Sequence, residues 1–259
     1  MNFFQFERPI SSVGPETIIN ISGFHIANTT LFLLLIAVFL ILFSYLVVRR
    51  FKMVPKGVQS VVESVYEWIT GLVTQITGNE ERSKKIFPVI AALFLFILFS
   101  NFIGLIPGLS SFTYEGKAIF RTPTSDFNTT VALALGSILT INVISMKEWG
   151  FFGYLGKFFK FKEIFLGFKK SFSAGALACV DFFIGLLDIV GELAKVVSLS
   201  LRLFGNMYAG DVLMAILIGS FAYFVPSLWL AMSMLSSVVQ AIVFTSLVTV
   251  FYTLSVKNT

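Results

Sequence analysis

Six ionisable side chains interrupt one long apolar segment, residues 173–219, and they are the groups best placed for chemistry inside a membrane. They are Asp181, Asp188, Glu192, Lys195, Arg202 and Asp211. A charge at the centre of a bilayer costs about 2.5–3.5 kcal/mol and usually marks an ion or substrate pathway. At about 100° per residue, all except Asp211 share one helix face with Asn206. The spacing therefore predicts a polar stripe that faces protein or water.

Arg202 is the member of this stripe that a local ion pair does not explain. Lys195 can pair with an acid of its own helix, so part of the stripe is also consistent with a structural ion-pair ladder. The residues three and four positions from Arg202 are Ser198, Leu199, Gly205 and Asn206. Because a guanidinium keeps its charge, Arg202 needs a counter-charge from elsewhere. We expect a partner's carboxylate, with Asp126 or Asp211 folding back as the alternative within the chain.

The composition places this segment in a membrane protein. Hydrophobic residues make up 56% of the chain, charged residues 13%, and the mean hydropathy is +0.89. Soluble domains carry about 25% charged residues, so most of this surface must face lipid. Cys179 is the single cysteine and His25 the single histidine, which excludes an internal disulfide and argues against a haem or a transition-metal cluster. No cofactor, nucleic acid or cleavable signal is expected.

The elements that must position the stripe form a single all-α membrane domain, residues 1–259, with about five membrane-embedded helices and one amphipathic surface helix. The predicted order is an external segment 1–27, a span 28–48, the surface helix 57–78, spans 86–106 and 127–146, a cytoplasmic Lys-rich loop 147–172, and long helices 173–219 and 226–255. At 1.5 Å per residue, about 45 residues would span about 68 Å, far beyond a hydrocarbon core of about 30 Å. A hairpin is the alternative, but no proline breaks the run, so we expect a steeply tilted helix.

The distribution of basic residues predicts the orientation of the chain. Lysines and arginines are concentrated at residues 49–56, 82–85 and 147–170. All three regions fall on one side of the membrane if the spans 86–106 and 127–146 both cross it. The loop 107–126 on the other side has Lys117 and Arg121 balanced by Glu115 and Asp126. By the positive-inside rule, the amino terminus lies outside and the carboxyl terminus lies in the cytoplasm.

Two stretches of the sequence and one further residue resemble a known family. Residues 197–210, VSLSLRLFGNMYAG, closely resemble the signature of the a subunit of bacterial F-type ATP synthases. Residues 123–128, PTSDFN, resemble its second recurrent stretch, and Gln240 is placed like the family's glutamine. The order of segments agrees as well, so the resemblance covers nearly the whole chain.

The resemblance implies a function for each part of the stripe. The two long helices would lie against a rotating ring of c subunits, and two offset half-channels would pass protons, or Na⁺, to and from its carboxylates. Arg202 would face the ring carboxylate between the half-channels, with Asn206 and Gln240 flanking that contact. The resemblance places Asp188 and Glu192 among the acids of an aqueous half-channel, in the stripe that also holds Lys195, and it places Asp126 and Asn128 near the outer mouth.

The same resemblance names partners and a location. The partners would be the c ring, the b-subunit stator stalk and the rest of the F1Fo complex, in a bacterial plasma (inner) membrane. The chain would be non-catalytic itself, since ATP chemistry would belong to partner subunits. Two positions depart from the family pattern: Asp211 stands where many members have glutamate, and Ser233 where many have histidine. Serine cannot carry protons as imidazole does near neutral pH. The half-channel that contains Ser233 would therefore rely more on water.

Two other classes of protein account for the sequence less well. A secondary transporter would also place charges at the midplane, but such proteins often carry internal repeats with broken helices, and no repeat is evident here. An anchoring protein with a structural ion-pair ladder leaves Arg202 unexplained. A stand-alone enzyme is disfavoured because the chain lacks a nucleotide-binding loop, a metal cluster and a nucleophile triad.

Overall fold

A computed structural model describes residues 17–21, 24–49, 51–106, 113–114, 117–118, 120–150, 172–220 and 224–257. Six long helices lie within these ranges: α1 (Asn28–Arg49), α2 (Val58–Thr77), α3 (Glu80–Gly104), α4 (Phe127–Trp149), α5 (Phe172–Ser220) and α6 (Phe224–Lys257). Most of the predicted Lys-rich loop and most of the external segment lie outside the described residues, as does the Asp181 side chain. The chain is therefore an all-α protein, as the hydrophobic pattern predicts.

Two small antiparallel hairpins accompany the helices. The first pairs β1 (Thr17–Ile21) with β2 (Phe24–Ala27), and the second pairs β3 (Thr113–Tyr114) with β4 (Lys117–Ala118). Sequence reasoning did not predict either hairpin. β2 runs directly into α1, so the first hairpin lies at the end of the helical bundle where α1 begins.

Four helices in the described ranges are long and apolar enough to cross a membrane: α1, α3, α4 and α6. This confirms the prediction of a multi-pass integral membrane protein. The charged α5 is one unbroken helix of 49 residues, about 74 Å long at 1.5 Å per residue. The structure thus shows a continuous helix and not a hairpin. Its tilt in the membrane remains a prediction.

The structure extends two helices beyond the predicted apolar runs. α3 begins at Glu80, six residues before the predicted start, because Asn79 caps it: its Oδ1 accepts from the backbone N of Glu81 at 2.9 Å and of Arg82 at 3.3 Å. α6 begins at Phe224, which places Pro226 in the first turn. Proline is tolerated there because the first backbone N–H groups of a helix have no intrahelical partner.

The core is formed where α2, α3, α4, α5 and α6 meet. Its fully buried side chains include Val73, Ile97, Leu203, Phe244 and Tyr252. The amphipathic α2 contributes Ile69 and Val73 to this core and leaves Val61 and Trp68 exposed. Helix α1 is exposed along most of its apolar length, as a lipid-facing helix would be. The location of α2 on the membrane surface is still a prediction.

A buried turn, Pro123–Ser125, contacts four helices, α1, α3, α4 and α5. Thr124 donates from Oγ1 to Asn101 Oδ1 of α3 at 2.7 Å, and the next residue, Asp126, accepts from Thr29 Oγ1 of α1 at 2.9 Å. A Cβ atom at Gly104 would collide with the Thr122 side chain. The close approach requires glycine at this position, so α3 and the turn pack tightly here.

Candidate functional site

The antiparallel packing of α5 against α6 forms the frame of the site. Three contacts define it: Ser236 Oγ donates to Asn206 Oδ1 at 3.1 Å, Trp229 Nε1 donates to the Gly210 carbonyl at 3.4 Å, and Lys195 Nζ lies 5.2 Å from the centroid of the Phe251 ring. Lower residue numbers on α5 meet higher numbers on α6. One turn from the first contact, Arg202 and Gln240 therefore come to the same level of the helix pair.

Arg202 is exposed, and no hydrogen bond or ion pair reaches it from the described residues. The carboxylate of Asp126, one candidate within the chain, accepts instead from Thr29 Oγ1, Thr129 Oγ1 and the Asn128 backbone N. Among the residues described, neither Asp126 nor Asp211 folds back onto the guanidinium. The counter-charge expected from the sequence is thus not supplied by this part of the chain.

The surface around Arg202 is smooth. Ser198, Gly205 and Ala209 occupy the turns before and after it on the same helix face, and all three are exposed. A Cβ atom built on Gly205 would meet no atom within 4 Å. Small side chains let a second helix approach closely inside a membrane. This face can accept another helix at the level of the guanidinium.

Behind this face, Asn206 and Gln240 bring amide groups to the level of Arg202. Asn206 is fixed by its hydrogen bond from Ser236. Gln240 is 7% exposed, and its Nε2 lacks a hydrogen-bond partner in the described structure. A buried amide without a partner costs about 1–3 kcal/mol, so a site of this kind commonly holds water or a ligand.

Lys195 pairs with Glu192 and not with Asp188. Its Nζ donates to Glu192 Oε1 at 2.6 Å, one turn earlier on α5, and both side chains are about one-fifth exposed. This settles the choice that the spacing left open. Asp188 is exposed and makes no ion pair with another described residue. One acid of the stripe is neutralised locally, and Asp188 is left to water or to a partner.

A cavity of about 400 Å³ lies between α5, α6 and the end of α3. Its polar lining consists of Asn206, Asp211, Ser233, Ser236 and Ser237. The sequence predicted Asp211 and Asn206 as site residues, and the structure brings both to this cavity. Ser236 and Ser237 were not predicted as site residues. The signal for them is their spacing, since Ser233, Ser236 and Gln240 recur on one face of α6.

The structure does not bring Asp126 and Asn128 together with Asp188 and Glu192. The ring of Phe127, between the first two, lies 5.5 Å from the Phe204 ring on α5. Asp188 lies sixteen residues before Phe204, about 24 Å along the helix. Asp126 is 3% exposed and caps α4, whereas the side chain of Asn128 is exposed. The two groups thus occupy different ends of the α4–α5 contact.

Comparisons with known proteins identify the family of the chain. A family model described as ATP synthase A chain matches residues 30–253. ATP synthase subunit a of Geotalea uraniireducens is 36% identical over 218 residues, which cover 84% of this chain and 82% of the relative. The Moorella thermoacetica subunit a is 30% identical over 243 residues, covering 94% and 96%. A Propionigenium modestum protein named ATP synthase subunit a, sodium ion specific, is 33% identical over 234 residues, covering 88% and 74%.

These matches give no support to a secondary transporter, the alternative that the charged stripe left open. They cover most of the chain, including Arg202 and the two helices that carry the site. The chain therefore belongs to the ATP synthase A chain family and is a non-catalytic, ion-conducting subunit of the membrane sector of an ATP synthase.

Proposed function

We propose that Arg202 faces a carboxylate of a rotating ring of c subunits and separates two half-channels on either side of the ring contact. The observation that carries this proposal is an exposed guanidinium without a partner in the described chain, on a helix face lined by small residues. A ring helix could approach this face closely. Ion pumping by an Arg202→Ala variant tests the proposal most directly.

Electrostatics explains why a fixed positive charge is useful at this point. A ring carboxylate that faces lipid must be neutral, because burying its ionised form is costly. Beside Arg202 the ionised form is favoured, so the pKa of the ring carboxyl falls and its proton or Na⁺ leaves. The same positive charge blocks a direct leak of cations between the half-channels. Lysine would serve less well, since desolvation can neutralise an amine.

The cavity that contains Asp211 is the proposed outer half-channel. It begins near the carboxyl-terminal end of α3 and reaches Asn206, one turn from Arg202. Its polar lining is hydroxyl, amide and carboxylate, and the chain's single histidine, His25, is in β2. Water in the cavity would therefore carry the ion. Asn128 and Asp126 lie at this outer end, where Asn128 is open to solvent and Asp126 holds the surrounding helices together.

Asp188 and Glu192 mark the proposed second half-channel, with Lys195 beside them. Asp188 lies fourteen residues before Arg202, about 21 Å along α5, whereas the outer cavity begins on the other side of Arg202. Two polar regions thus lie on opposite sides of the fixed charge. An ion could pass from one to the other only by way of the ring.

Carboxamide substitutions test the second half-channel. Asp188→Asn and Glu192→Gln are expected to slow ATP-driven ion pumping several-fold, because each removes a charge that attracts cations into the pathway. Glu192→Gln also leaves Lys195 without its acid, so it should have the larger effect. Pumping is measured by fluorescence quenching in inverted membrane vesicles. Unchanged rates in both variants would make these acids structural.

Ser236 gives a test of the outer half-channel. Ser236→Ala removes the hydroxyl that donates to Asn206 and that can bind water in the cavity. We expect a several-fold slower rate of ion pumping. Ser236→Thr keeps the hydroxyl and should pump close to the wild-type rate. Assembly is checked by the amount of complex in the membrane. If the alanine variant pumps as fast as the threonine variant, the hydroxyl has no part in the pathway.

The remaining assignments concern partners and orientation. The chain would also contact the b-subunit stalk, and it would lie in a bacterial plasma membrane with its amino terminus outside and its carboxyl terminus in the cytoplasm. The excess of lysine and arginine in the loops on one side supports this orientation. The choice between H⁺ and Na⁺ depends on the ring carboxylate.

A further inference from the structure

A second cleft, of about 870 Å³, lies where α3 begins and where α4 and α6 end. The apolar part of α3 starts at Ile86, directly after Lys85, and that of α4 stops at Met146, directly before Lys147. Val256, the last residue of the α6 span, lines the same cleft. Three apolar segments thus end together, which places the cleft at the level where hydrocarbon gives way to phospholipid headgroups.

Two cationic side chains of the cleft make no ion pair with another described residue. Lys85 Nζ is bound to Glu148 Oε1 at 2.8 Å, and the Tyr252 hydroxyl donates to the same oxygen at 3.3 Å. Glu148 is therefore already paired with Lys85 and Tyr252. The side chains of Arg82 and Lys147 line the cleft without an ion pair or hydrogen bond to another described residue.

Other features of the cleft also suit an amphiphile with a negatively charged head. The first turn of α3 borders it, where the helix dipole favours an anion although Asn79 already accepts from the backbone N–H groups of Glu81 and Arg82. Asn79 uses its Oδ1 to cap that helix, which leaves its Nδ2 free to donate. Ile144 and Val256 supply apolar lining beside the charges. Glu81 is the one acid of the cleft without a partner in the described structure, and it opposes an anion.

We propose that this cleft binds the phosphate group of an anionic phospholipid, with Arg82 and Lys147 as its cationic ligands and the acyl chains beside Ile144 and Val256. A free phosphate would gain from the cations but not from the apolar lining. Basic side chains near a membrane surface favour the binding of an anionic lipid. The site is separate from the ion pathway, so a test of lipid binding does not depend on the proposed ion-conducting mechanism.

Photolabelling of the assembled complex tests the site. The complex is placed in phosphatidylcholine nanodiscs that contain a trace of photoactivatable phosphatidylglycerol, and labelled peptides are mapped by mass spectrometry. We expect labels on peptides that contain residues 79–88 or 144–149, lost when unlabelled phosphatidylglycerol is added. Labelling that persists in excess unlabelled phosphatidylglycerol, or that inorganic phosphate at millimolar concentration removes, would overturn the assignment to an anionic lipid.

Matched variants separate the site from general attraction to basic loops. Arg82→Gln combined with Lys147→Gln should lower labelling of these peptides about thirtyfold, since each basic side chain near the surface contributes about fivefold. Lys52→Gln with Lys56→Gln removes the same charge outside the cleft and should leave labelling unchanged. Glu81→Gln removes the opposing acid and should raise it. Equal labelling in the two double variants would refute the proposal, and the competition with wild-type complex decides it even if the first variant fails to assemble.

Discussion

ATP-driven ion pumping is expected to fall to background in an Arg202→Ala variant, while the complex still assembles in the membrane. The expectation of normal assembly follows from the position of the side chain. Arg202 is exposed and makes no hydrogen bond or ion pair within the described structure, so its loss leaves no buried partner unsatisfied. The expectation of lost pumping follows from its isolation, because no other cation of the described chain lies at this level of α5 and α6.

The measurement uses inverted membrane vesicles that carry the assembled complex. Pumping is followed by fluorescence quenching after ATP is added, and ATP hydrolysis is measured in the same vesicles to show that the catalytic sector is present. Arg202→Lys should restore little pumping, because the amine can lose its charge on desolvation and lacks the planar fork of the guanidinium. A variant of a distant exposed cation, Lys56→Ala, serves as the control. Normal coupled pumping by Arg202→Ala would refute the proposed mechanism.

The sequence predicts the all-α membrane architecture because that architecture depends on segment length and hydrophobicity. The continuity of α5 follows from the absence of proline in a 49-residue run. Arg202 can also be identified from local sequence, because the sequence shows that no acid lies one turn away from it on either side. These features can be predicted without knowing how the helices pack.

The features that the sequence did not predict depend on contacts between helices or on irregular backbone. The cavity beside Asp211 lies at the contact between α5 and α6, where Ser236 meets Asn206, and the register of two packed helices cannot be read from the sequence of either one. The start of α3 at Glu80 depends on the cap by Asn79 and not on the apolar run that follows. The two hairpins are too short for an alternating pattern to stand out.

Asp126 shows how burial changes the interpretation of an acid. Its sequence context associates it with the ion pathway, but its carboxylate is 3% exposed and accepts hydrogen bonds from Thr29, Thr129 and the backbone of Asn128. These contacts tie α1 to the start of α4. We infer that Asp126 maintains the shape of the outer mouth and that no ion binds to it directly.

Asp126→Ala should therefore reduce the amount of assembled complex, whereas Asp126→Asn should assemble and pump. Alanine removes the cap of α4, at about 1 kcal/mol, and leaves the Thr29 hydroxyl unpaired, at about 1–3 kcal/mol. Such a loss is a large fraction of the stability of a typical domain. Asparagine can still cap the helix and bond the hydroxyl, because its amide offers both an acceptor and a donor.

The two variants are compared by complex yield, by the midpoint of thermal dissociation and by pumping per assembled complex. Asn128→Ala is the matched control, since its exposed side chain can be removed while its backbone N still donates to Asp126. The decisive quantity is pumping by Asp126→Asn, because that variant separates the charge of the residue from its hydrogen bonds. If it assembles normally but does not pump, the charge itself serves the pathway. Near-normal pumping assigns the residue to the scaffold of the outer mouth, where hydrogen bonds from α1 and α4 hold the opening in place.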